Sequence, residues 1–347
     1  MQKESILTIA IPTYNRSKEL AITLSHLFKQ DGSRVRILVS DDGSTDNTER
    51  TVKKFQKKYK NLFYNRNMVN QGYSTNVYKL YKLSKTKFIW FLCDDDTVLP
   101  GAVAKILSAI DKYNPTIATF NYTWLDPYGR RLKAYNEEDI LYTDKSELSD
   151  YQSLMRLGFL SAIVVKKVSR LTFANTFDSN KNIFFQITLG LGLLTKRFRL
   201  LESNAVILHR NVGYNYGEFF KSYMIDHLDA IYAVRHDFNN HKFIQWSKRQ
   251  FPSTVMLYFS QKLGLFDYRG SLSMTTKKKL KKYYGGLSHI AINLPVIKHL
   301  VPTILIQYVY LGILIRIHGY KKAKLIYMRN LNRAQKDRRT SGFLGNV

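Results

Sequence analysis

Apolar residues in the first hundred positions come in short unbroken runs separated by stretches with helical periodicity. Residues 6–11, 35–39, 62–64 and 88–92 are such runs, rich in branched and aromatic side chains as strands buried on both faces are. Between the first two, Leu20, Ile22, Leu24, Leu27 and Phe28 form a helical apolar pattern. Asp46, followed three residues later by Glu49, has the form of a cap opening a second helix. A third helix is predicted from the Asn70-Gln71-Gly72 turn to about Leu83, and Pro100 suits the first turn of a fourth. Strands and helices alternating in this way predict an α/β domain, with a mostly parallel sheet covered on both faces.

Three successive strand ends carry polar, turn-prone residues: Pro12-Thr13-Tyr14-Asn15-Arg16, Asp41-Asp42-Gly43-Ser44 and Asp94-Asp95-Asp96. Parallel strands bring such ends to one edge, which is where open α/β sheets bind ligands, so one concave site is predicted. Adjacent carboxylates repel and are costly to hold together unless a cation sits between them. A divalent metal carrying a phosphorylated ligand would answer both features. A solvated acidic loop capping the helix beyond Gly101 would answer only the first. Cys93, the single cysteine, excludes a disulfide framework within the chain and reads as a packed thiol at a strand end.

From Thr116 the pattern changes. Residues 116–125 read as a strand, Asp126-Pro127-Tyr128-Gly129 as a turn and Arg130 onward as a returning strand. Residues 163–165 and 205–208 read as further strands with a helix around 183–194, and beyond Tyr216 the chain turns helical and aromatic without repeats. The tail also changes the electrostatic picture. Residues 251–347 carry 17 lysines and arginines against Asp267 and Asp337, over half of the chain's net charge of +28. Such a field calls for a polyanion, either nucleic acid or an anionic membrane surface. No basic-aromatic nucleic-acid motif accompanies it, so nucleic acid is not expected as a partner. The apolar stretch 303–315 is shorter than the ~20 residues of a spanning helix. Flanked by basic segments, it suits a chain lying on an anionic leaflet; an ordinary helical layer packed on the sheet domain is the alternative. The first apolar run, stopped by Pro12, is too short for a secretion signal. The expectation is a cytoplasmic protein, peripheral on the inner face of a bacterial plasma membrane.

In series, Ile9-Ala10-Ile11-Pro12-Thr13-Tyr14-Asn15-Arg16, Val39-Ser40-Asp41-Asp42-Gly43-Ser44-Thr45-Asp46, Asn70-Gln71-Gly72 with Asn76, and Phe91 to Asp96 resemble the motifs of family 2 glycosyltransferases. Within that family the likeness is to bacterial surface-polysaccharide and O-antigen enzymes of the abequosyltransferase type. It covers about the first 125 residues. The resemblance implies a GT-A fold, with a catalytic domain over 1–215 (a nucleotide-sugar half to about 125, then an acceptor half) and a basic, apolar helical region over 216–347. It implies an inverting transfer of sugar from a nucleotide-diphosphate donor to a polyprenyl-linked glycan. By residue matching, Pro12, Thr13, Tyr14, Asn15, Arg16, Asp41, Asp42, Asn70, Gly72, Asn76 and Asp94 would line the nucleotide, Asp41 meeting a base N–H. Asp95, with Asp94 and Asp96, would hold Mn²⁺ or Mg²⁺, a hard cation that takes oxygen ligands.

The chain departs from the family pattern in two places. Cys93 stands where the family often has the first Asp of its acidic segment. No Glu-Asp pair follows Gly158 to serve as the acceptor's base, which leaves Asp178 as the nearest candidate. His209 and Arg210 are candidate contacts to the diphosphate or metal. The missing pair keeps an inactive scaffold open as a reading. A nucleotidyltransferase is disfavoured because residues 11–17 hold no glycine for a phosphate loop.

Overall fold

Each of the four apolar runs becomes a strand. In the computed structural model, which describes residues 4–30, 34–125, 131–133, 137–144, 156–168, 184–194 and 197–210, they are β1 (Leu7–Thr13), β2 (Val35–Asp41), β3 (Leu62–Arg66) and β4 (Phe88–Phe91). They pair in parallel in the order β3-β2-β1-β4, with Thr13 opposite Asp41 and Ala10 opposite Phe91. Helices α1 (Ser17–Leu27), α2 (Thr48–Gln56) and α3 (Tyr73–Leu83) connect them, and α4 (Ala102–Tyr113) follows a two-residue strand, β5 (Thr97–Val98). Phe88, Trp90 and Leu92 are at most 1 % exposed and share one core with Leu20 and Leu24 of α1, Val52 of α2 and Ile106 of α4. Ile89 and Phe91, equally buried, point to the opposite face by strand alternation. The central strand is therefore sandwiched, as its unbroken apolar sequence requires.

The second half supplies β6 (Ile117–Leu125), β7 (Arg131–Lys133), β8 (Ile140–Tyr142), β9 (Ile163–Lys166), helix α5 (Phe185–Leu193) and β10 (Leu200–Arg210). The sheet continues from β4 through β9, β6 and β10 to β5. Strand β9 runs antiparallel to both β4 and β6. Its entrance, rather than its exit, therefore lies at the edge where β1, β2 and β4 end, and two 3-10 turns, Arg156–Gly158 and Leu160–Ala162, sit there.

Three boundaries differ from the sequence reading. Helix α2 begins at Thr48, two residues after Asp46, whose Oδ1 still accepts from the Thr48 amide at 2.9 Å and hydroxyl at 2.6 Å. Helix α4 begins at Ala102, leaving Pro100 outside it, because Gly101 at φ 75° intervenes. The strand expected over 205–208 runs from Leu200 to Arg210. Irregular pairing with β6 between Ser203 and Leu208, and the buried charge of Glu202, break its apolar pattern. Among the described residues no helix is long and apolar enough to cross a membrane. The region 216–347, the 215/216 boundary and the turn at 126–129 lie outside the described residues.

The loop after β2 is fixed by backbone contact. Gly43 has φ 78°, and a Cβ there would lie 2.9 Å from the carbonyl carbon of Val69 and 3.0 Å from the amide of Asn70. Gly101 has a similar φ of 75° but open space around it. Alanine at Gly101 should cost only the left-handed penalty of about 1 kcal/mol. Gly43→Ala adds a clash with main chain that cannot rotate away, and should cost about 2 kcal/mol or more. Urea unfolding midpoints of the two variants check the order.

Candidate active site

The edge where β1, β2 and β4 end encloses a cavity of about 300 Å³, at the small end of the range for ligand sites. The β1 turn contributes Pro12, Thr13, Tyr14 and Arg16; the β2 and β3 loops contribute Asp42 and Asn70; α3 contributes Tyr73 and Asn76; and β4 delivers Cys93, Asp94 and Asp95. Tyr14 and Tyr73 are 43 % and 44 % exposed. They offer the cavity two ring surfaces.

The acidic triplet is tied down by hydroxyls from three other elements. Thr13 Oγ1 donates to Asp94 Oδ2 at 2.7 Å. Thr23, on α1, donates to the main-chain oxygens of Asp94 (2.8 Å) and Asp96 (3.3 Å). Ser161, in the turn before β9, donates to Asp96 Oδ2 at 2.5 Å and accepts from the Cys93 amide at 2.9 Å. The Ser161 carbonyl in turn accepts from Trp90 Nε1 at 2.8 Å. Arg16 Nη1 is hydrogen-bonded to Asp95 and lies 3.6 Å from Asp94 Oδ1. Asp94 and Asp96 are buried, whereas the Asp95 side chain is 35 % exposed. Burial, offset in part by Thr13 and Arg16, pushes the Asp94 carboxyl up to about 7.

One ligand atom each of Cys93, Asp95 and Asp96 lie within 4.8 Å of one another. Burial pushes the Cys93 thiol well above its usual range, so the oxygen donors are the ones suited to a cation. That donor set fits a hard divalent ion rather than a thiolate-seeking one.

The structure sorts the other predicted residues. Asp41 is fully buried and does not line the cavity. Its Oδ1 accepts from the Ser44 amide at 2.8 Å and its Oδ2 from the Tyr64 hydroxyl at 2.6 Å, with Arg66 Nε at 3.7 Å. Burial and then the hydrogen bond to Asp41 push the Tyr64 hydroxyl up, which keeps it a donor. Asp42 is the member of the pair that reaches the cavity. It also accepts from the Gln71 and Gly72 amides, both at 2.9 Å, and from Asn67 Nδ2 at 2.7 Å, holding the loop that enters α3. Asn15, at φ 53°, braces the β1 turn instead of lining the cavity: its amide donates to Ser44 Oγ and its Oδ1 accepts from the Thr45 amide, both at 2.8 Å. Gly72, at φ 90°, shapes the turn into α3. Asn76 is buried and bonded twice to Ser40. His209 sits opposite Thr97, one residue beyond the triplet, with Nδ1 3.0 Å from Thr123 Oγ1. The guanidinium of Arg210 stacks 4.9 Å from the Phe159 ring centre. Asp178 lies outside the described residues.

Sequence reasoning missed Thr23, Tyr64, Tyr73 and Ser161. The only signal for Tyr73 was its place directly after Gly72 in a loop of the site. Ser161 carried none, because its partners are 65 and 68 residues away.

Residues 8–168 match the family described as glycosyl transferase family 2. Among curated relatives, the chain is 33% identical over 103 residues to a GalNAc(5)-diNAcBac-PP-undecaprenol beta-1,3-glucosyltransferase of Campylobacter jejuni, spanning 29% of this chain and 33% of that one. It is 28% identical over 109 residues to the abequosyltransferase RfbV of Salmonella typhimurium, spanning 30% of this chain and 33% of the relative. The chain thus spans about a third of the length of these two. Among solved structures, the mannosyltransferase PcManGT of Pyrobaculum calidifontis in complex with GDP-Man and Mn²⁺ superposes with a TM-score of 0.54 at 11% identity, covering 96% of this chain and 87% of that one. S. aureus TarS superposes with a TM-score of 0.54 at 17% identity, covering 82% and 52%. These likenesses establish the GT-A fold.

The raised Asp94 sets a sign for stability. Between about pH 4 and 7 the folded chain keeps a proton there that the unfolded chain has released. The stability this group contributes is therefore complete below about pH 4 and is lost as pH rises through about 7. In chelator-treated protein, the difference in thermal midpoint between wild type and Asp94→Asn should shift in favour of the variant from pH 5 to pH 8. A difference that stays flat across that range would place Asp94 at an ordinary carboxyl value.

Proposed function

From a chain that carries a glycosyl transferase family 2 domain over residues 8–168, we propose an enzyme that transfers a sugar from a nucleotide-diphosphate donor to a polyprenyl-linked glycan, with inversion. Its setting would be bacterial surface-polysaccharide or O-antigen synthesis. The observation that carries this reading is the shared cavity, in which Asp94 and Asp95 face Tyr14, Asp42 and Asn70. A donor needs its base, ribose and diphosphate accommodated together, and these loops meet at a single point.

The Tyr14 and Tyr73 rings give a planar base surface to lie against, and Asp42 offers an acceptor for base or ribose donors. In the same cavity, Asp95, with Asp94 and Asp96 beside it, would hold Mn²⁺ or Mg²⁺. That ion would supply electrostatic relief to the departing diphosphate. Thr13, Thr23 and Ser161 keep the carboxylates in place before the donor arrives, so no reorganisation is required at the moment of transfer. Asp178 remains the proposed base, and His209 a proposed contact near the metal. The relatives' descriptions support the acceptor class, since the Campylobacter enzyme is described with an undecaprenol-diphosphate glycan. With the basic tail, they support a cytoplasmic enzyme lying on an anionic inner leaflet.

A thermal-shift panel of UDP-, GDP- and CDP-sugars should raise the midpoint for one base class, since bound ligand stabilises the folded state by mass action. With that donor and Mn²⁺, Asp95→Ala should lower donor hydrolysis about 10²-fold or more. Full activity in the variant would refute the metal role, and no shift with any nucleotide would refute the donor.

A further inference from the structure

Arg16 is placed unusually for a cation at the mouth of a phosphate site. Its backbone is anchored: the Arg16 carbonyl accepts from the Leu20 amide at 3.0 Å, and the preceding Asn15 is bonded to Ser44 and Thr45. Its side chain is 48% exposed, lines the cavity, and spends its charge on the triplet, through the bond to Asp95 and the 3.6 Å approach to Asp94. The three carboxylates are not equivalent in what they have left to give. Asp96 is taken up by Ser161 and Asp94 by Thr13. Asp95 is the exposed member, and its Oδ2 is the oxygen that Arg16 holds.

We propose that Arg16 is the resident counter-cation of the triplet and competes with the divalent ion for Asp95. A guanidinium held on Asp95 Oδ2 repels a dication that approaches either oxygen of that carboxylate. Entry of the ion therefore requires the Arg16 side chain to swing away. The swing is inexpensive, because a half-exposed ion pair is weak and the backbone need not move. Arg16 thereby keeps the acidic edge neutralised while the site is empty and raises the ion concentration at which it fills. The freed guanidinium remains in the cavity, where its fork of donors suits phosphate oxygens. This inference rests on the metal reading given above.

The test is direct Mn²⁺ binding without donor or turnover, followed by electron paramagnetic resonance of the free ion and by calorimetry. Wild type, Arg16→Gln, Arg16→Lys and Asp95→Asn of the full chain are compared. Removing the competitor should tighten Mn²⁺ about fivefold in Arg16→Gln, the ratio that an ion pair at the upper end of the exposed range is worth. Arg16→Lys, which keeps the charge, should stay within about twofold of wild type. Asp95→Asn should weaken binding. Equal or weaker Mn²⁺ binding by Arg16→Gln, alongside a wild type that does bind, overturns the competition and leaves the metal site standing. If neither wild type nor Arg16→Gln binds Mn²⁺, the metal reading falls and the competition with it.

Discussion

The architecture depends on keeping three adjacent carboxylates at the end of a strand that is otherwise wholly apolar. Each buried carboxylate costs several kcal/mol unless its lone pairs are met. The structure meets them with two hydroxyls and one guanidinium, from Thr13, Ser161 and Arg16, while Thr23 of α1 holds the main-chain oxygens of Asp94 and Asp96. This explains why the strand order matters. Strand β4 lies between β1, which brings Thr13, and β9, whose antiparallel direction brings Ser161 to the same edge. A parallel strand in the β9 position would have presented its far end there. The sheet's one reversal beside β4 therefore has a direct consequence for the site.

The apolar runs of β1 to β4 were legible because burial on both faces leaves no choice of side chain, and the polar strand ends were legible because parallel pairing gathers them. Whether a given polar residue at that edge faces inward or outward was not. Asp41 and Asp42 are neighbours in sequence but do different things. Asp41, the last residue of β2, turns into the fold toward Tyr64, while Asp42, the first residue past it, reaches the cavity. The register that decides between them is set by Thr13 pairing with Asp41, a fact about two strands that neither strand's sequence contains. The long β10 and the role of Ser161 were hidden for a related reason: a buried Glu202 and an irregular pairing interrupt the alternation that makes a strand readable.

The Asp41 network also has a mechanical consequence. Arg66 donates to Glu49 at 2.7 Å and to the Ser44 carbonyl at 2.8 Å while standing 3.7 Å from Asp41. The end of β3, the start of α2 and the loop after β2 are thereby joined through one side chain. The same loop is pressed against Val69 and Asn70 at Gly43. Asp42 thus rises from a segment braced on two sides, and its carboxylate holds the Asn67 to Gly72 loop in turn. Residues assigned to ligand contact by motif can serve by holding the loops that make contact.

The same distinction separates the members of the triplet. Asp96 is linked through Ser161 to Trp90, the largest fully buried side chain among the described residues. Any displacement of Asp96 toward the cavity would have to break a 2.5 Å hydrogen bond and disturb the turn that also holds the Cys93 amide. Asp95 is the more exposed carboxylate, and its bond to Arg16 is half-exposed. The triplet therefore pairs a carboxylate fixed to the core with one bonded to a half-exposed guanidinium. If Arg16 and a divalent ion compete as proposed, Asp95 is the carboxylate at which that exchange takes place, beside neighbours already held by Thr13 and Ser161.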